Sequence, residues 1–149
     1  MRWVFVLLTV VGMVVSSLAL REHYRSEDES SPCKINEKWD CGTVNHSRYA
    51  TLGLKFNEKL SVNIPVATLG IGAYLFLGVI AFSRKWLALF TAAVPSLMFS
   101  LYLTNIEQNI LEVWCLYCVA SQIIMATLTL LATITALVAH FRPARATAP

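Results

Sequence analysis

The stretch EVWCLYCVAS, residues 112–121, sets Cys115 and Cys118 three positions apart where a long apolar run begins. Cysteine is otherwise scarce, with only Cys33 and Cys41 elsewhere in the chain. The apolar fraction is 56% and the charged fraction 14%, whereas soluble domains carry about 45–50% and about 25%. This balance predicts one integral membrane domain over residues 1–149. The net charge of +3 is small and gives no reason to expect a nucleic-acid partner.

Four stretches are long enough to cross a hydrocarbon core, which takes about 20 apolar residues in a helix. They cover residues 3–20, 64–83, 86–104 and about 113–141. The first also resembles a secretory signal, because Arg2 precedes the apolar run and Ser17, Leu18 and Ala19 resemble a cleavage site. Its uninterrupted run exceeds the usual signal core of about 7–15 residues, and the distribution of charge favours four spans. Residues 21–63 carry seven Lys/Arg and seven Asp/Glu. The remaining bases, Arg2, Arg84, Lys85, Arg142 and Arg145, fall on one side of a four-span topology, and the remaining acids, Glu107 and Glu112, on the other. Short flanks rich in Lys/Arg stay cytoplasmic. The expected fold is therefore an all-α bundle of four transmembrane helices, with both termini and the Arg84–Lys85 turn inside. A long extracytoplasmic loop joins helices 1 and 2, and the TNIEQN segment is an external turn.

On this topology all four cysteines share the external face, where an oxidising environment permits two disulfide couples. A Cys-x-x-Cys pair in the first turn of a helix sits among unpaired backbone N–H groups, which favour thiolate, the form that attacks disulfides. Zinc is a poorer reading, because the loop cysteines stand eight apart and His23, His46 and His140 do not cluster in sequence. No metal is expected.

In CKINEKWDC, residues 33–41, two cysteines enclose seven mostly polar residues, a pattern that by itself suits a plain loop staple. The following GTVNHSRYATLGL favours a short helix capped by Asp40, with Val44 and Leu52 among polar residues. Laid against the bundle mouth, this helix would bring Cys41 towards the helix-four pair. Phe76, Phe90, Phe99, Tyr102 and Tyr117 are candidates for lining a pocket, although packing or lipid contact is their default role. Trp3, Trp86 and Trp114 sit at span ends as interfacial anchors. Pro65 opens a span, and Pro95 falls inside one, where a kink is expected. Gly70, Gly72 and Gly78 suit close helix approach.

Two loop cysteines eight apart, Ser47 six beyond the second, then two spans and a Cys-x-x-Cys opening the fourth resemble the vitamin K epoxide reductase family, particularly its bacterial members. The resemblance runs from the first span to the last. It implies a quinone-dependent thiol oxidoreductase of the bacterial cell membrane that supports disulfide-bond formation. Cys115 and Cys118 match the redox-centre pair, with Cys118 working against a quinone such as ubiquinone or menaquinone. Cys33 and Cys41 match a shuttle pair, Cys33 meeting the partner and Cys41 linking to Cys115. Ser47 matches a loop serine near the quinone head group. Many members carry a fused thioredoxin-like domain; here none is expected within residues 1–149, so a thioredoxin-like (DsbA-like) partner would act in trans. Gln122 and Val66 stand where some animal members have a tyrosine and an asparagine, which weakens a specific case for vitamin K epoxide. Alternatives are a quinone or quinone-epoxide reductase in a cofactor cycle, and a non-catalytic membrane subunit held by structural disulfides.

Overall fold

The structure is a computed structural model that describes residues 1–26, 32–57 and 60–141. Helix α1 (Arg2–His23) leads into a loop that contains the short α2 (Cys41–His46) and a 3-10 turn, Arg48–Ala50. An antiparallel hairpin of β1 (Thr51–Asn57) and β2 (Leu60–Pro65) follows. Helices α3 (Val66–Phe82), α4 (Trp86–Ile106) and α5 (Leu116–Phe141) complete the fold, with one π-helical turn, Glu107–Leu111, between the last two. The tail bases Arg142 and Arg145 lie outside the described residues.

The four long helices fall on the four apolar stretches of the sequence. Helix α1, α4 together with the π-turn as far as Leu111, and α5 are each long and apolar enough to cross a membrane, whereas α3 has 17 residues. At about 1.5 Å per residue α3 extends about 25 Å, the short end of what a bilayer core requires. The bundle turns large apolar side chains outward, among them Leu7, Phe76, Leu87, Met98, Ile123 and Leu130. Helices that are apolar on their outer faces as well as their inner ones are suited to lipid. This is a membrane protein.

Inside, Phe5, Tyr74, Leu77, Leu89, Met125 and Leu128 form a core to which all four long helices contribute. Helix α1 packs chiefly on α3, and α4 on α5. Small residues set the first of these contacts. A methyl group at Gly70 or Gly78 would press on Ser16 or Thr9 of α1 at 3.0 Å, and one at Gly12 would overlap the Tyr74 ring. Gly72 differs from the expectation for its neighbours, because no atom lies within 4 Å of where its methyl would be. Thr127, Thr129 and Thr133 are tolerated in apolar α5 because each hydroxyl donates to the carbonyl four residues back, at 2.8 Å. Helix α4 continues through Pro95.

Two expectations need correction. The helix expected in GTVNHSRYATLGL is cut short: α2 stops at His46, where the Ser47 hydroxyl turns back to donate to the Val44 carbonyl at 2.7 Å. Leu52 then lies on β1, opposite Ile64 of β2. The alternation of Leu52, Leu54 and Phe56 with Gly53 and Lys55 is a strand period, so the all-α expectation missed this hairpin. Nor is TNIEQN a turn, because helical structure runs through Ile106 and on to Leu111. The chain turns later, at Glu112, which adopts a left-handed conformation with φ 52°.

Candidate functional site

Within residues 33–41 the Asn36 carboxamide accepts the backbone N–H groups of Lys38 and Trp39 at 3.0 and 3.1 Å, folding the segment back on itself. Cys33 and Cys41 are thereby close, with Cα atoms 5.7 Å apart, and they form a disulfide. Asp40 caps α2 as expected, its Oδ1 accepting from Gly42 N–H at 2.9 Å and Thr43 N–H at 3.3 Å. Burial works against the Asp40 charge, but the Lys34 ammonium at 3.1 Å and the two cap N–H groups outweigh it and hold the carboxyl below its ordinary value.

Two clamps seat this loop on the bundle. In the first, Trp114 N–H donates to the Lys38 carbonyl at 2.8 Å, and Asp40 N–H to the Trp114 carbonyl at 3.1 Å. The Trp39 and Trp114 rings stack over this bridge, centroids 6.2 Å apart. In the second, the His23 Nδ1–H donates to the Asn45 carbonyl at 2.5 Å, while the His46 ring bonds the Gly42 and Arg25 carbonyls at 2.8 Å each. Helix α2 therefore lies across the end of α1, at the bundle mouth. Of the three expected tryptophan anchors, only Trp3 points outward; Trp86 packs on Phe5 and Trp114 on Trp39.

Cys115 immediately precedes α5 and fills the place of its cap. Its sulfur accepts the Cys118 backbone N–H at 3.4 Å, while its own N–H donates to Glu107 Oε2 at 3.2 Å. The Asn45 amide bridges the two cysteine pairs, its Nδ2 donating to the Cys41 carbonyl at 2.8 Å and to the Cys115 sulfur at 3.6 Å. The Cys118 side chain, followed by the Cys118 and Tyr117 backbone N–H groups, draws the Cys115 thiol below its ordinary value against the effect of burial. Cys41 and Cys115 are both 0% exposed and share one buried cluster with Cys33 and Val44, with Cys118 packed beside it. Of the two expected disulfide couples, Cys33 and Cys41 are bonded, whereas Cys115 and Cys118 are free thiols.

Cys118 opens onto a cavity of about 470 Å³ between α2, the hairpin and the long helices. Its walls are mainly apolar, and their polar points include Ser47, Asn45, His23, Tyr74, Glu107 and Ser121. A flat apolar ring with a few oxygen atoms suits such a site, so the residues present fit a quinone. Phe99 and Tyr117 line the cavity, whereas Phe76 and Tyr102 face outward and Phe90 packs against the core. Val66 is in the wall, and Gln122 instead accepts the Thr104 hydroxyl. The Tyr74 hydroxyl donates to the Ser121 carbonyl at 2.7 Å, fixing one side of the cavity.

The family model described as the vitamin K epoxide reductase family matches residues 3–133. The chain belongs to the vitamin K epoxide reductase family. No curated protein matches it. Vitamin K epoxide reductase family proteins are in general quinone-linked thiol oxidoreductases. The matched span holds the four cysteines, Ser47 and every residue that lines the cavity. Beyond the family pattern, the structure adds Asn45, Glu107 and the Trp39–Trp114 pair. Asn45 had a sequence signal, since four residues after Cys41 on a capped helix share its face. Glu107 has none, because its polar segment reads locally as a turn.

Proposed function

We propose that this protein reoxidises an extracytoplasmic thioredoxin-like partner and passes the electrons through two cysteine pairs to a membrane quinone, in support of disulfide-bond formation. One observation carries this reading: Cys41 and Cys115 are buried together, and of the second pair it is Cys118 that opens on an apolar cavity.

The exchange steps balance at the sulfurs. A partner thiolate attacks Cys33, the Cys33–Cys41 bond breaks and Cys41 leaves as thiolate; the partner's second thiol then closes its own disulfide and frees Cys33. Cys33 is 3% exposed, so its segment lifts for this attack. Cys41 next attacks Cys115 of an oxidised Cys115–Cys118 pair, and Cys118 leaves as thiolate. Cys33 resolves the Cys41–Cys115 bond, restoring the loop disulfide and leaving two electrons on the helix pair. A quinone held in the cavity would supply the acceptor for those two electrons and two protons. Phe99, Tyr117 and Ser47 would hold its ring and head group beside Cys118.

Four spans follow if α3 crosses alongside α1, with both termini cytoplasmic and the cysteines on the external face of a bacterial cell membrane. In support, the Arg2 guanidinium lies 5.7 Å from the Phe82 ring centroid, so Arg2 and the Arg84–Lys85 turn share one end of the bundle. Reporters fused at Arg84 should read as cytoplasmic and one at Glu37 as external; a cytoplasmic Glu37 contradicts the topology.

The activity is tested in lipid discs, with a small dithiol or a reduced thioredoxin-like protein as donor and ubiquinone or menaquinone analogues as acceptor. Quinol should form with either donor. Cys33→Ala and Cys41→Ala should lose turnover of the protein donor and keep part of the small-dithiol turnover, and Cys118→Ala should lose both. No quinol from the unaltered protein, with all four cysteines inert to the donors, would leave only structural disulfides.

A further inference from the structure

We propose that Glu107 is the base that takes the Cys118 proton when the Cys115–Cys118 pair is oxidised, and that it gives this proton up inside the same cavity. This deepens the redox reading of that pair and rests on it. Glu107 is 4% exposed, lines the cavity, and accepts the Cys115 N–H at 3.2 Å. Cys118, one helical turn from Cys115, lines the same cavity, so the carboxyl and the Cys118 thiol interact across it. Among the described residues neither Lys nor Arg lines the cavity, and its titratable groups are His23, Tyr49, Tyr74, Glu107, Tyr117 and Cys118. Burying an acid without a cation is costly, and accepting one backbone N–H needs no acid, because a glutamine oxygen would serve. The π-helical turn that Glu107 opens is an irregularity frequently found at functional sites.

The two thiols stand in opposite surroundings. The Cys115 sulfur faces the N–H donors of Asn45 and Cys118, which stabilise a thiolate. Cys118 faces a carboxyl group, which can receive its proton. When the pair is oxidised, the Cys115–Cys118 bond forms and two electrons pass to a quinone. Cys118, released as thiolate in the exchange with the loop, has taken a proton from solvent; on oxidation that proton moves to the Glu107 carboxylate, while Cys115 remains the thiolate it was released as. Glu107 returns its proton within the cavity, and solvent supplies the second, so quinone reduction receives the two it consumes.

The test omits quinone. In lipid discs the fully reduced protein is oxidised by glutathione disulfide: Cys118 attacks it, one glutathione leaves, and Cys115 then displaces the second. Glu107→Gln should slow this oxidation by about 100-fold at neutral pH, the scale of a lost general base, and make its rate follow hydroxide concentration. Glu107→Asp should recover part of the rate. A Glu107→Gln rate equal to or above the parent's overturns the proposal; a faster one is what simple charge repulsion of the Cys118 thiolate predicts. A readout that needs no variant is the infrared difference spectrum of the unaltered protein with carbon-13-labelled glutamate, taken on oxidation of the pair. A label-sensitive change in a protonated-carboxyl band supports the proposal, and no change overturns it. If the unaltered protein fails to reduce any quinone while these results hold, the quinone reading fails and the role of Glu107 stands.

Discussion

Asn45 and Cys115, 70 residues apart in the chain, meet through an amide N–H 3.6 Å from the sulfur. The same amide holds the carbonyl of Cys41, so one side chain sets the position of the loop cysteine against that of the helix cysteine. A neutral hydrogen bond is worth about 0.5–1.5 kcal/mol, up to about tenfold in a rate. Asn45→Ala should therefore slow exchange between the loop and helix pairs by up to about tenfold and move the Cys115 thiolate absorbance to higher pH. Asn45→Asp, which turns an acceptor towards the sulfur, should be slower still. Rapid-quench alkylation measures the exchange, and rates equal to the parent's in both variants would remove Asn45 from the relay.

The Trp39–Trp114 stack predicts a different defect. Aromatic pairs contribute about 0.5–1.5 kcal/mol beyond burial, and this one covers the main-chain bridge that seats the loop. Trp114→Ala should make reduced Cys41 alkylate several-fold faster, because the loop spends more time undocked. Transfer to Cys115 should slow, while small-dithiol turnover at Cys115 and Cys118 is largely kept. Unchanged Cys41 accessibility would mean that His23 and His46 suffice to hold the loop.

Asp40 predicts a pH dependence with a definite sign. Its carboxyl is held below its ordinary value, so its support of α2 is fully present above the ordinary carboxylate range and is lost as pH falls through the folded value. The exchange protection of the Gly42 and Thr43 amides should accordingly be flat near neutrality and fall in acid. Asp40→Asn should keep the cap and abolish this acid dependence, and Asp40→Ala should weaken the cap by about 0.5–2 kcal/mol. Amide hydrogen exchange against pH checks all three, and an identical acid profile in Asp40→Asn would assign the titration elsewhere.

Gly12 tests the wall of the cavity. A methyl group there would overlap the Tyr74 ring, and overpacking of this kind costs about 1–3 kcal/mol. Gly12→Ala should lower the thermal midpoint in detergent and free the Tyr74 hydroxyl from Ser121. Gly72→Ala, with open space around it, should change neither. Equal effects of the two would contradict the packing of α1 on α3.

What the sequence made legible was local or periodic. The long apolar runs marked the helices, Asp40 marked the start of α2, and the spacing of Cys115 and Cys118 marked the head of α5. What it hid depends on contacts distant in the chain. Trp114 looks like an interfacial anchor until the loop supplies Trp39 and the Lys38 carbonyl as partners. Glu107, among polar neighbours, looks like part of a turn, because nothing local shows that the helix continues and swings its carboxyl under Cys115. The β1–β2 hairpin did carry a local alternation, but it was overridden by a helix reading extended past Ser47.

The central claim is that electrons cross between Cys41 and Cys115. In Cys118→Ala the Cys115 thiolate can attack Cys41 of the loop disulfide and release Cys33, but the thiol that would close the helix pair is missing. Mass spectrometry of a non-reduced digest of this variant, alkylated to hold Cys33 once freed, reads the result directly. A Cys41–Cys115 bond with alkylated Cys33 is the outcome the relay predicts; an intact Cys33–Cys41 bond beside a free Cys115 would contradict it.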